Sequence, residues 1–550
     1  MLLYIILILL VLIGLLFLLF VRAILVKPPK ADGGVLEYMP RRETPDGLYI
    51  CESGRLRKNR VGLWELYIEG EAYRRGLITG KLTAELIAKQ EQIFVEEVKN
   101  FVPSAFYLFF LKLFVVFMNR KLNRNVGEEY NLEIYGISRS ASDEFSKIGP
   151  AYIRILNYHA AHDIGHTLES LKFVGCTSFA AWGDSSDDGR VVLGRNFDFY
   201  MGDEFCSEKI VSFCKPDLGY RYMSVNWGGL TGTVSGMNEH GLAVTVNGAK
   251  SEMPNKSAMP ITILVKKILQ YAKNINEAFE IAKAHLIFVS ESILVASAQD
   301  HKAVAIEKSP SKTVMYDTGN NHIICTNHFQ SEAFADDKLN NENLLESASL
   351  YRFKRMEELF EEHKPISPLS AAAILRDRFG LGGADIGQGN EKAVNQLLAH
   401  HSVIFKPEQR LVWVSSWPYN LGEFVCYDLN SVFAHFPGMT ENSDIDEHEW
   451  ALPPDEFCVN GGFANFERFK EICTVLKTGT AGADDKIMDE LIELNPEYFH
   501  TYLVLGDFCL KIKKQEKALD YYKMALLKEI PTTKERNVIL SKARKIGYKD

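Results

Sequence analysis

The sequence predicts an α+β fold, preceded by a membrane helix and followed by a helical segment. Three observations support this class. From residue 176 onward, short strand patterns alternate with pairs of helix patterns, a grouping typical of sheets covered by helices. Residues 1–26 are dominated by apolar side chains, and residues 485–550 have helical spacing. The length of 550 residues allows about two to four domains.

The amino-terminal apolar segment predicts a membrane anchor. Residues 2–20 are almost wholly apolar, close to the length of about 20 residues that a spanning helix needs. A cleavable signal peptide is the alternative, but it would carry a positive charge before the apolar run. The nearest positive charges, Arg22, Lys27 and Lys30, all follow it. We therefore expect a single-pass anchor at residues 1–26, and the side of the membrane stays open.

The region between the anchor and residue 176 is expected to be a linker followed by helices. Residues 33–46 are polar and contain glycine and proline, which favours a linker over residues 27–60. Within residues 61–175 the apolar positions recur at helical spacing. The clearest of them are Leu82, Leu86, Ile87, Ile93, Phe94 and Val98.

Residues 176–440 have the strand and helix patterns of one layered domain. Strands are expected at residues 222–226, 229–235, 241–247, 293–298, 303–307, 402–405 and 411–415. Helices are expected at residues 261–272 and 277–284. Asn238-Glu239-His240 is the turn that joins the second and third of these strands as a hairpin.

The carboxy-terminal part does not continue this pattern of strands and helices. Residues 441–484 include an acidic, proline-containing stretch and are expected to be an exposed connection. In residues 485–550, the motif Tyr502-x-x-Leu505-Gly506 and the later Ala518, Tyr522 and Ala525 match the spacing of a tetratricopeptide helix pair. That resemblance implies a possible protein partner. A plain helical hairpin packed on the preceding domain is the alternative, because repeat arrays normally need several neighbours.

Composition excludes several classes of function. The formal net charge of −9 and the lack of a basic, aromatic-interleaved patch argue against nucleic acid as a partner. No GxxxxGK[ST] phosphate loop is present, and none of the nine cysteines forms a CxxC pair. Zinc ribbons and thioredoxin chemistry are therefore unsupported, and no cofactor is expected.

The most informative stretch is residues 175–179, Gly-Cys-Thr-Ser-Phe, with residues 195–198, Arg-Asn-Phe-Asp. The turn-forming residues 184–189 lie between them. Folding this hairpin about its middle places Cys176 opposite Phe197, with Arg195 and Asp198 near the sulfur. A cation and a carboxylate beside a thiol are the ingredients of an activated nucleophile.

The pattern favours one kind of cysteine chemistry over another. A papain-like site needs a histidine base, and the local signatures of that class are absent. If the Gly175–Cys176 bond is cut, the freed α-amine of Cys176 can itself take the thiol proton. Gly175 suits such a cleavage because no Cβ hinders attack on its carbonyl. Asp198 would then hold the amine, and Arg195 would steady the thiolate or a substrate carbonyl.

At these residues the chain resembles the N-terminal-nucleophile (Ntn) hydrolases. The resemblance is to the choloylglycine hydrolase and acid ceramidase/N-acylethanolamine amidase type, and most closely to the autoproteolytic acyltransferase/hydrolase family of acyl-CoA:6-aminopenicillanate acyltransferase. It runs from about residue 70 to about residue 415 and implies a four-layer αββα core. The supporting motifs, in order, are residues 70–76 with Gly80, residues 130–137, the Gly175–Cys176 junction, Arg195-x-x-Asp198, residues 236–242 leading to Asn247, Thr326-Asn327 and Tyr351-Arg352-Phe353.

The resemblance implies a role for each matched residue. Cys176 is the nucleophile, Arg195 a site cation, and Asp198 the partner of the α-amine. Asn247 and Asn327 resemble the family's asparagines near the oxyanion and the amine, a suitable use of fixed amide N–H groups. Arg352 resembles a late site arginine, with the nearby Arg355 as the alternative.

The expected function is that of a membrane-anchored, self-processing cysteine hydrolase or acyltransferase. Its substrate would be a small-molecule acyl amide, attacked by Cys176 to form a thioester. Two alternatives stay open. One is a catalytically silent membrane scaffold that binds a protein through its tetratricopeptide-like end. The other is a metal-dependent hydrolase centred on His159, His162 and His166, with Asp163 nearby.

Overall fold

The computed structural model describes residues 26–101, 104, 106–107, 119–160, 163, 175–252, 257–435, 443–479 and 485–549. Residues 1–25 of the expected membrane anchor lie outside these ranges. Within the ranges described, no helix combines the length and the apolar character needed to cross a bilayer.

The described strands form two sheets. In chain order they are β1 (Arg42–Glu43), β2 (Tyr49–Cys51), β3 (Gly54–Lys58), β4 (Trp64–Gly70), β5 (Thr177–Ala181), β6 (Val192–Phe197), β7 (Ile210–Pro216), β8 (Tyr222–Asn226), β9 (Ser235–Asn238), β10 (Leu242–Gly248), β11 (Glu291–Ser297), β12 (Lys302–Lys308), β13 (Thr313–Tyr316), β14 (His322–Cys325), β15 (His401–Lys406), β16 (Leu411–Ser415) and β17 (Phe424–Asp428). The larger sheet has the order β1-β2-β3-β4-β7-β8-β9-β10-β11-β12-β13, and the smaller has β14-β5-β6-β15-β16-β17. Among these pairs, β4 and β7 run parallel.

The described helices of four or more α-helical residues follow in the same way. They are α1 (Ala72–Leu82), α2 (Ala84–Phe101), α3 (Leu122–Val126), α4 (Glu128–Ser138), α5 (Ala151–Tyr158), α6 (Asp203–Ser207), α7 (Ile261–Tyr271), α8 (Ile275–Ala284), α9 (Lys338–Glu346), α10 (Ser349–His363), α11 (Pro368–Leu375), α12 (Leu429–Ala434), α13 (Glu456–Val459), α14 (Gly462–Thr478), α15 (Asp485–Leu494), α16 (Phe499–Lys511), α17 (Gln515–Leu526) and α18 (Thr533–Arg544).

The two sheets pack face to face, with helices outside them. Strand side chains alternate between faces, so Leu193 of β6 and Leu294 of β11 enter one cluster between the sheets. Val192 of β6 instead packs with α10 and α11, and Ile293 of β11 packs in the cluster that contains α7 and α8. The mixed α/β class predicted from the sequence is therefore confirmed.

Two glycine-containing motifs form a close helix crossing. A Cβ on Gly76 of α1 would lie 2.1 Å from the carbonyl oxygen of Glu133 in α4, and one on Gly136 would lie 2.6 Å from the backbone nitrogen of Leu77. A Cβ on Gly80 would lie 2.8 Å from the carbonyl oxygen of Ile137. The motifs at residues 70–80 and 130–137 thus contain the small residues that let the two helix backbones touch.

The linker expected at residues 27–60 is wrong over its second half. Residues 42–58 contain β1, β2 and β3, which extend one edge of the larger sheet. Leu48 and Leu56 are buried, and Arg57 of β3 forms an ion pair with Glu65 of β4 at 2.8 Å. Turn residues between very short strands gave this stretch the composition of a linker.

Two further expectations need correction. The strand expected at residues 229–235 begins only at Ser235, because Gly229 has a positive φ of 83° and Leu230 closes a turn onto Trp227. The connection expected at residues 441–484 contains the helix α14, with buried Phe469 and Leu476 on one face. Acidic residues ahead of this helix masked its apolar stripe.

The carboxy-terminal helices pack against the layered domain. Helices α16 and α17 form a hairpin in which Ala518, Tyr522 and Ala525 are buried. A Cβ on Gly506 would lie 2.4 Å from the Tyr522 ring, so glycine at that position allows the close approach. Membership of the tetratricopeptide class and a protein partner stay predictions.

Candidate active site

The β5–β6 hairpin has the register expected from the sequence. Thr177 pairs with Asn196 and Ser178 with Arg195, so continuing the register by one residue sets Cys176 opposite Phe197. The Nη2 atom of Arg195 lies 3.5 Å from the Cys176 sulfur. The hairpin therefore brings the guanidinium and the thiol together.

Arg195 is held in place from several sides. Its Nη1 donates to the Val234 carbonyl at 3.2 Å and to the Ser235 hydroxyl at 2.6 Å, and its Nη2 donates to the Val246 carbonyl. The guanidinium carbon lies 4.3 Å from the centre of the Phe197 ring. The side chain is fully buried, so its orientation toward the sulfur is fixed by packing as well as by hydrogen bonds.

Asp198 lies immediately after β6, on the same side of the junction. Its backbone carbonyl accepts from the Gly175 amide at 3.1 Å, and its Oδ2 accepts from Gln396 at 3.3 Å. Among the described residues, none hydrogen-bonds to its Oδ1. Burial raises the pKa of this carboxyl from 3.8 to about 7, against the opposing charges of Arg352 and Arg195.

The thiol of Cys176 is protonated at neutral pH in the uncut chain. The side chain is fully buried, and burial raises its pKa from 9.0 to about 11, although the charge of Arg195 acts in the opposite direction. Because the thiolate is the nucleophile, the reaction needs a group that removes the thiol proton.

Arg352 reaches the junction from α10. Its Nη1 donates to the Cys176 carbonyl at 2.9 Å, to the Thr177 hydroxyl at 2.8 Å and to the Gly175 carbonyl at 3.3 Å. The alternative, Arg355, instead forms hydrogen bonds with Asp377 at 2.9 and 3.0 Å. Of the two arginines, the structure brings Arg352 to the junction.

The two asparagines have their amides engaged. Asn247 Nδ2 donates to the carbonyls of Cys325 and Thr326 at 2.9 and 3.3 Å, and its Oδ1 accepts from Ser178. A role at an oxyanion requires these bonds to rearrange. Asn327 Oδ1 accepts from Arg352 at 2.6 Å, so in the uncut chain Asn327 positions that guanidinium.

The sequence did not predict three residues that lie next to this site, Gln396, Ser235 and His401. Gln396 Nε2 donates to the Gly175 carbonyl at 2.9 Å. His401 Nε2 hydrogen-bonds the Ser235 hydroxyl at 2.9 Å, and that hydroxyl in turn accepts from Arg195. Gln396 has no local signal because it lies 221 residues from its partner. The paired His400-His401 just before an apolar strand was a signal that was available.

The histidine cluster does not offer the metal site of the alternative function at its first member. His159 is fully buried, its Nδ1 donates to the Ile155 carbonyl at 2.8 Å, and its Nε2 accepts from the Thr231 amide at 2.9 Å. Both ring nitrogens are thus occupied. His162 and His166 lie outside the described residues.

Elsewhere in the described chain, one group of side chains has metal-ligand spacing. It comprises Asp444, Asp446 and His448 near the surface. The guanidinium of Arg60 already lies 3.6 Å from Asp446, which supplies positive charge to the group.

The comparisons with known proteins bear on the family resemblance. Residues 185–416 match the model of the acyl-coenzyme A:6-aminopenicillanic acid acyl-transferase family. That stretch contains Arg195, Asp198, Asn247, Asn327 and Arg352, and it begins nine residues after Cys176. The resemblance to Ntn hydrolases that the motifs indicate is therefore confirmed.

Individual relatives share little sequence identity with this chain. An uncharacterized protein of Archaeoglobus fulgidus is 27% identical over 253 residues, which is 43% of this chain and 40% of that protein. The N-acylethanolamine-hydrolyzing acid amidase of Caenorhabditis elegans is 25% identical over 226 residues, which is 39% of this chain and 59% of that protein. The chain thus spans less than two thirds of the length of these relatives.

Among solved structures, penicillin V acylase from Agrobacterium tumefaciens is 16% identical, with a TM-score of 0.33. The match covers 46% of this chain and 86% of that protein.

Proposed function

We propose that this protein is a self-processing cysteine hydrolase or acyltransferase that acts on acyl amides through a thioester on Cys176. The proposal rests on the groups that surround the Gly175–Cys176 peptide bond. The Cys176 sulfur faces the Arg195 guanidinium at 3.5 Å, and the preceding Gly175 carbonyl accepts from Gln396 and Arg352 at 2.9 and 3.3 Å. A nucleophile, a cation and carbonyl-directed donors thus converge on the junction.

Self-processing begins with attack of the sulfur on the Gly175 carbonyl carbon. The thiol proton passes to Asp198, whose pKa of about 7 lets it accept a proton near neutral pH. The C–N bond then breaks, and the Cys176 nitrogen takes the proton. Water hydrolyses the resulting thioester, forming a C–O bond and breaking the C–S bond. The products are a Gly175 carboxylate and a Cys176 with a free thiol and a free α-amine.

Turnover uses the amine that processing releases. An α-amine has an ordinary pKa of about 7.7–8.0, so a fraction of it is neutral at pH 7 and takes the thiol proton. The sulfur attacks the acyl carbonyl of the substrate, and the leaving amine takes that proton as its C–N bond breaks. Water or an acceptor amine then releases the acyl group from sulfur. Asp198 then holds the α-ammonium, a role supported by its Oδ1, which has no hydrogen-bond partner among the described residues.

One relative supports the substrate class. It is named for the hydrolysis of N-acylethanolamines. Such a compound has an acyl group joined to a small amine through an amide bond. We therefore assign an acyl amide with an apolar acyl chain as the substrate of this chain.

The test is hydrolysis of the palmitoyl amide of 7-amino-4-methylcoumarin, followed by coumarin fluorescence. Wild-type protein should release coumarin, and Cys176→Ala should lower the rate to the level of buffer alone. Cys426→Ala, which removes another free buried thiol, should retain the activity. Equal rates for wild type and Cys176→Ala would overturn the proposal. A series of acyl amides from acetyl to palmitoyl would then define the preferred chain length.

A further inference from the structure

Gln396 lies against the peptide bond that the proposed processing cuts. Its Nε2 donates to the Gly175 carbonyl oxygen at 2.9 Å and to Asp198 Oδ2 at 3.3 Å. The side chain is 4% exposed. A Cβ on Gly175 would lie 2.8 Å from this same nitrogen, so glycine at the junction keeps room for the amide.

The carbonyl oxygen of Gly175 becomes an anion when the Cys176 sulfur adds to its carbon. Donors already aimed at that oxygen stabilise the developing charge without reorganising. Gln396 is the nearer donor, and Arg352 Nη1, at 3.3 Å, is the second. We propose that Gln396 is an oxyanion-stabilising residue of self-processing, held at the junction by the carboxy-terminal helices. The inference rests on the proposed function and adds to it a residue of the processing step.

The segment that presents Gln396 is irregular, and we call residues 385–397 the junction loop. Near its end, Asn196 of β6 donates to the Val394 carbonyl at 3.1 Å, and the Asn395 amide donates to the Asp377 carbonyl at 2.8 Å. These contacts fix the loop to the smaller sheet and to the residues after α11. Gln396 is therefore held next to the strand that carries Arg195.

The other end of the junction loop is held by the carboxy-terminal helices. Gln388 and Asn495 form a reciprocal pair, in which the Gln388 amide donates to Asn495 Oδ1 at 3.0 Å and Asn495 Nδ2 donates to the Gln388 carbonyl at 2.9 Å. The Tyr498 hydroxyl donates to the Gly389 carbonyl at 2.9 Å. Asn390 Nδ2 donates to the Glu529 carbonyl at 2.9 Å.

The junction loop and Tyr498 are packed tightly against each other. A Cβ on Gly387 would lie 2.4 Å from the backbone and Cβ of Tyr498. These contacts come from the α15–α16 and α17–α18 connections, at residues 495, 498 and 529. They position the loop from one side while the sheet positions it from the other.

The first arm of the test follows cleavage of full-length chains made by cell-free translation, sampled over time on a denaturing gel. Gln396→Met keeps the size of the side chain but removes the donor. It should slow cleavage by about 10²–10³-fold, the typical cost of losing one oxyanion donor. Gln396→Glu should be slowed as well, because an ionised carboxylate cannot donate. Gln409→Met, a change at a glutamine that contacts Asp188 instead, should cleave at the wild-type rate.

The outcomes separate the two proposals. If wild type cleaves and Cys176→Ala does not, while Gln396→Met and Gln396→Glu cleave at the wild-type rate, the role of Gln396 is overturned and the proposed function stands. If Cys176→Ala cleaves like wild type, the proposed function fails. Melting temperatures of purified Cys176→Ala with and without Gln396→Met report whether the glutamine change unfolds the chain. An unaltered melting temperature with slowed cleavage is the expected result.

The second arm tests the support from the helices. Asn495→Ala removes both side-chain bonds to Gln388 and should slow cleavage about two- to tenfold, the effect of one net hydrogen bond. Lys542→Ala breaks an ion pair with Asp507 on the same helices, at residues whose hydrogen bonds do not reach the junction loop, and it should leave the rate unchanged. An unchanged rate in Asn495→Ala would overturn the positioning role of the helices.

Discussion

The guanidinium of Arg195 beside the Cys176 sulfur makes its other hydrogen bonds to neutral groups. Within the described chain these are the carbonyls of Val234 and Val246 and the hydroxyl of Ser235. Neutral acceptors fix the guanidinium without cancelling its charge, so it can stabilise a thiolate once the proton leaves. At the residue scale, self-cleavage therefore depends on the group proposed to take that proton, Asp198.

The role of Asp198 as proton acceptor predicts that the rate of self-cleavage depends on pH. Its pKa is raised from 3.8 to about 7, chiefly by burial, so it can accept a proton only where it is ionised. Self-cleavage should rise about tenfold per pH unit up to pH 7 and level off above it. The measurement is the cleavage rate of freshly translated chains shifted to buffers from pH 5 to 9. Asp198→Asn should lose the rise, whereas a flat wild-type profile would exclude Asp198 as the acceptor.

At the element scale, the crossing of α1 and α4 explains two sequence motifs without assigning them any chemistry. Gly76 and Gly136 each lie where a Cβ would meet the backbone of the other helix, at 2.1 and 2.6 Å. Protein interiors are close-packed, so neither helix can give way without moving the elements packed on it. The crossing in turn holds α4 on α1, which packs against β2, β3 and β4 of the larger sheet.

Replacing Gly76 should therefore destabilise the fold. Gly76→Ala forces a Cβ to within 2.1 Å of the Glu133 carbonyl oxygen, and overpacking of this kind costs about 1–3 kcal/mol or more. Gly149→Ala is the matched control, because a Cβ there meets no atom within 4 Å. Thermal melting of the two variants in the Cys176→Ala background checks the prediction. Equal melting temperatures would show that the helices move apart at little cost.

At the scale of the whole molecule, the larger sheet draws strands from both sides of the proposed cut. Strands β1–β4 precede Cys176 and β7–β13 follow it, and β4 pairs with β7 over seven residues from Trp64–Ile210 to Gly70–Pro216. A cut between residues 175 and 176 thus leaves one continuous sheet shared by two polypeptides.

The two fragments should accordingly stay together. We expect them to co-elute as one species in size-exclusion chromatography at neutral pH and to separate in 6 M guanidinium, a concentration of about the order that unfolds even very stable domains. The shared sheet and the buried face of α1 provide the reason. Separation of the fragments in native buffer would contradict this account of the fold.

Local chemistry was predictable from the sequence, whereas distant partners were not. The β5–β6 hairpin follows from its turn residues and alternation, so Cys176 and Arg195 were placed correctly. Gln396 could not be found, because its position depends on a loop held by helices about 100 residues further along. The strands at residues 42–58 were missed for a different reason. They are two to five residues long, too short to show a period, and burial of Arg55 and Arg57 disguises their inner face.

Intact-mass analysis and amino-terminal sequencing of purified protein test the central claim most directly. Wild-type protein should yield two polypeptides, one of which begins with Cys176, and Cys176→Ala should yield a single uncut chain. Wild-type protein that hydrolyses acyl amides while its Gly175–Cys176 bond is intact in every molecule would contradict the account.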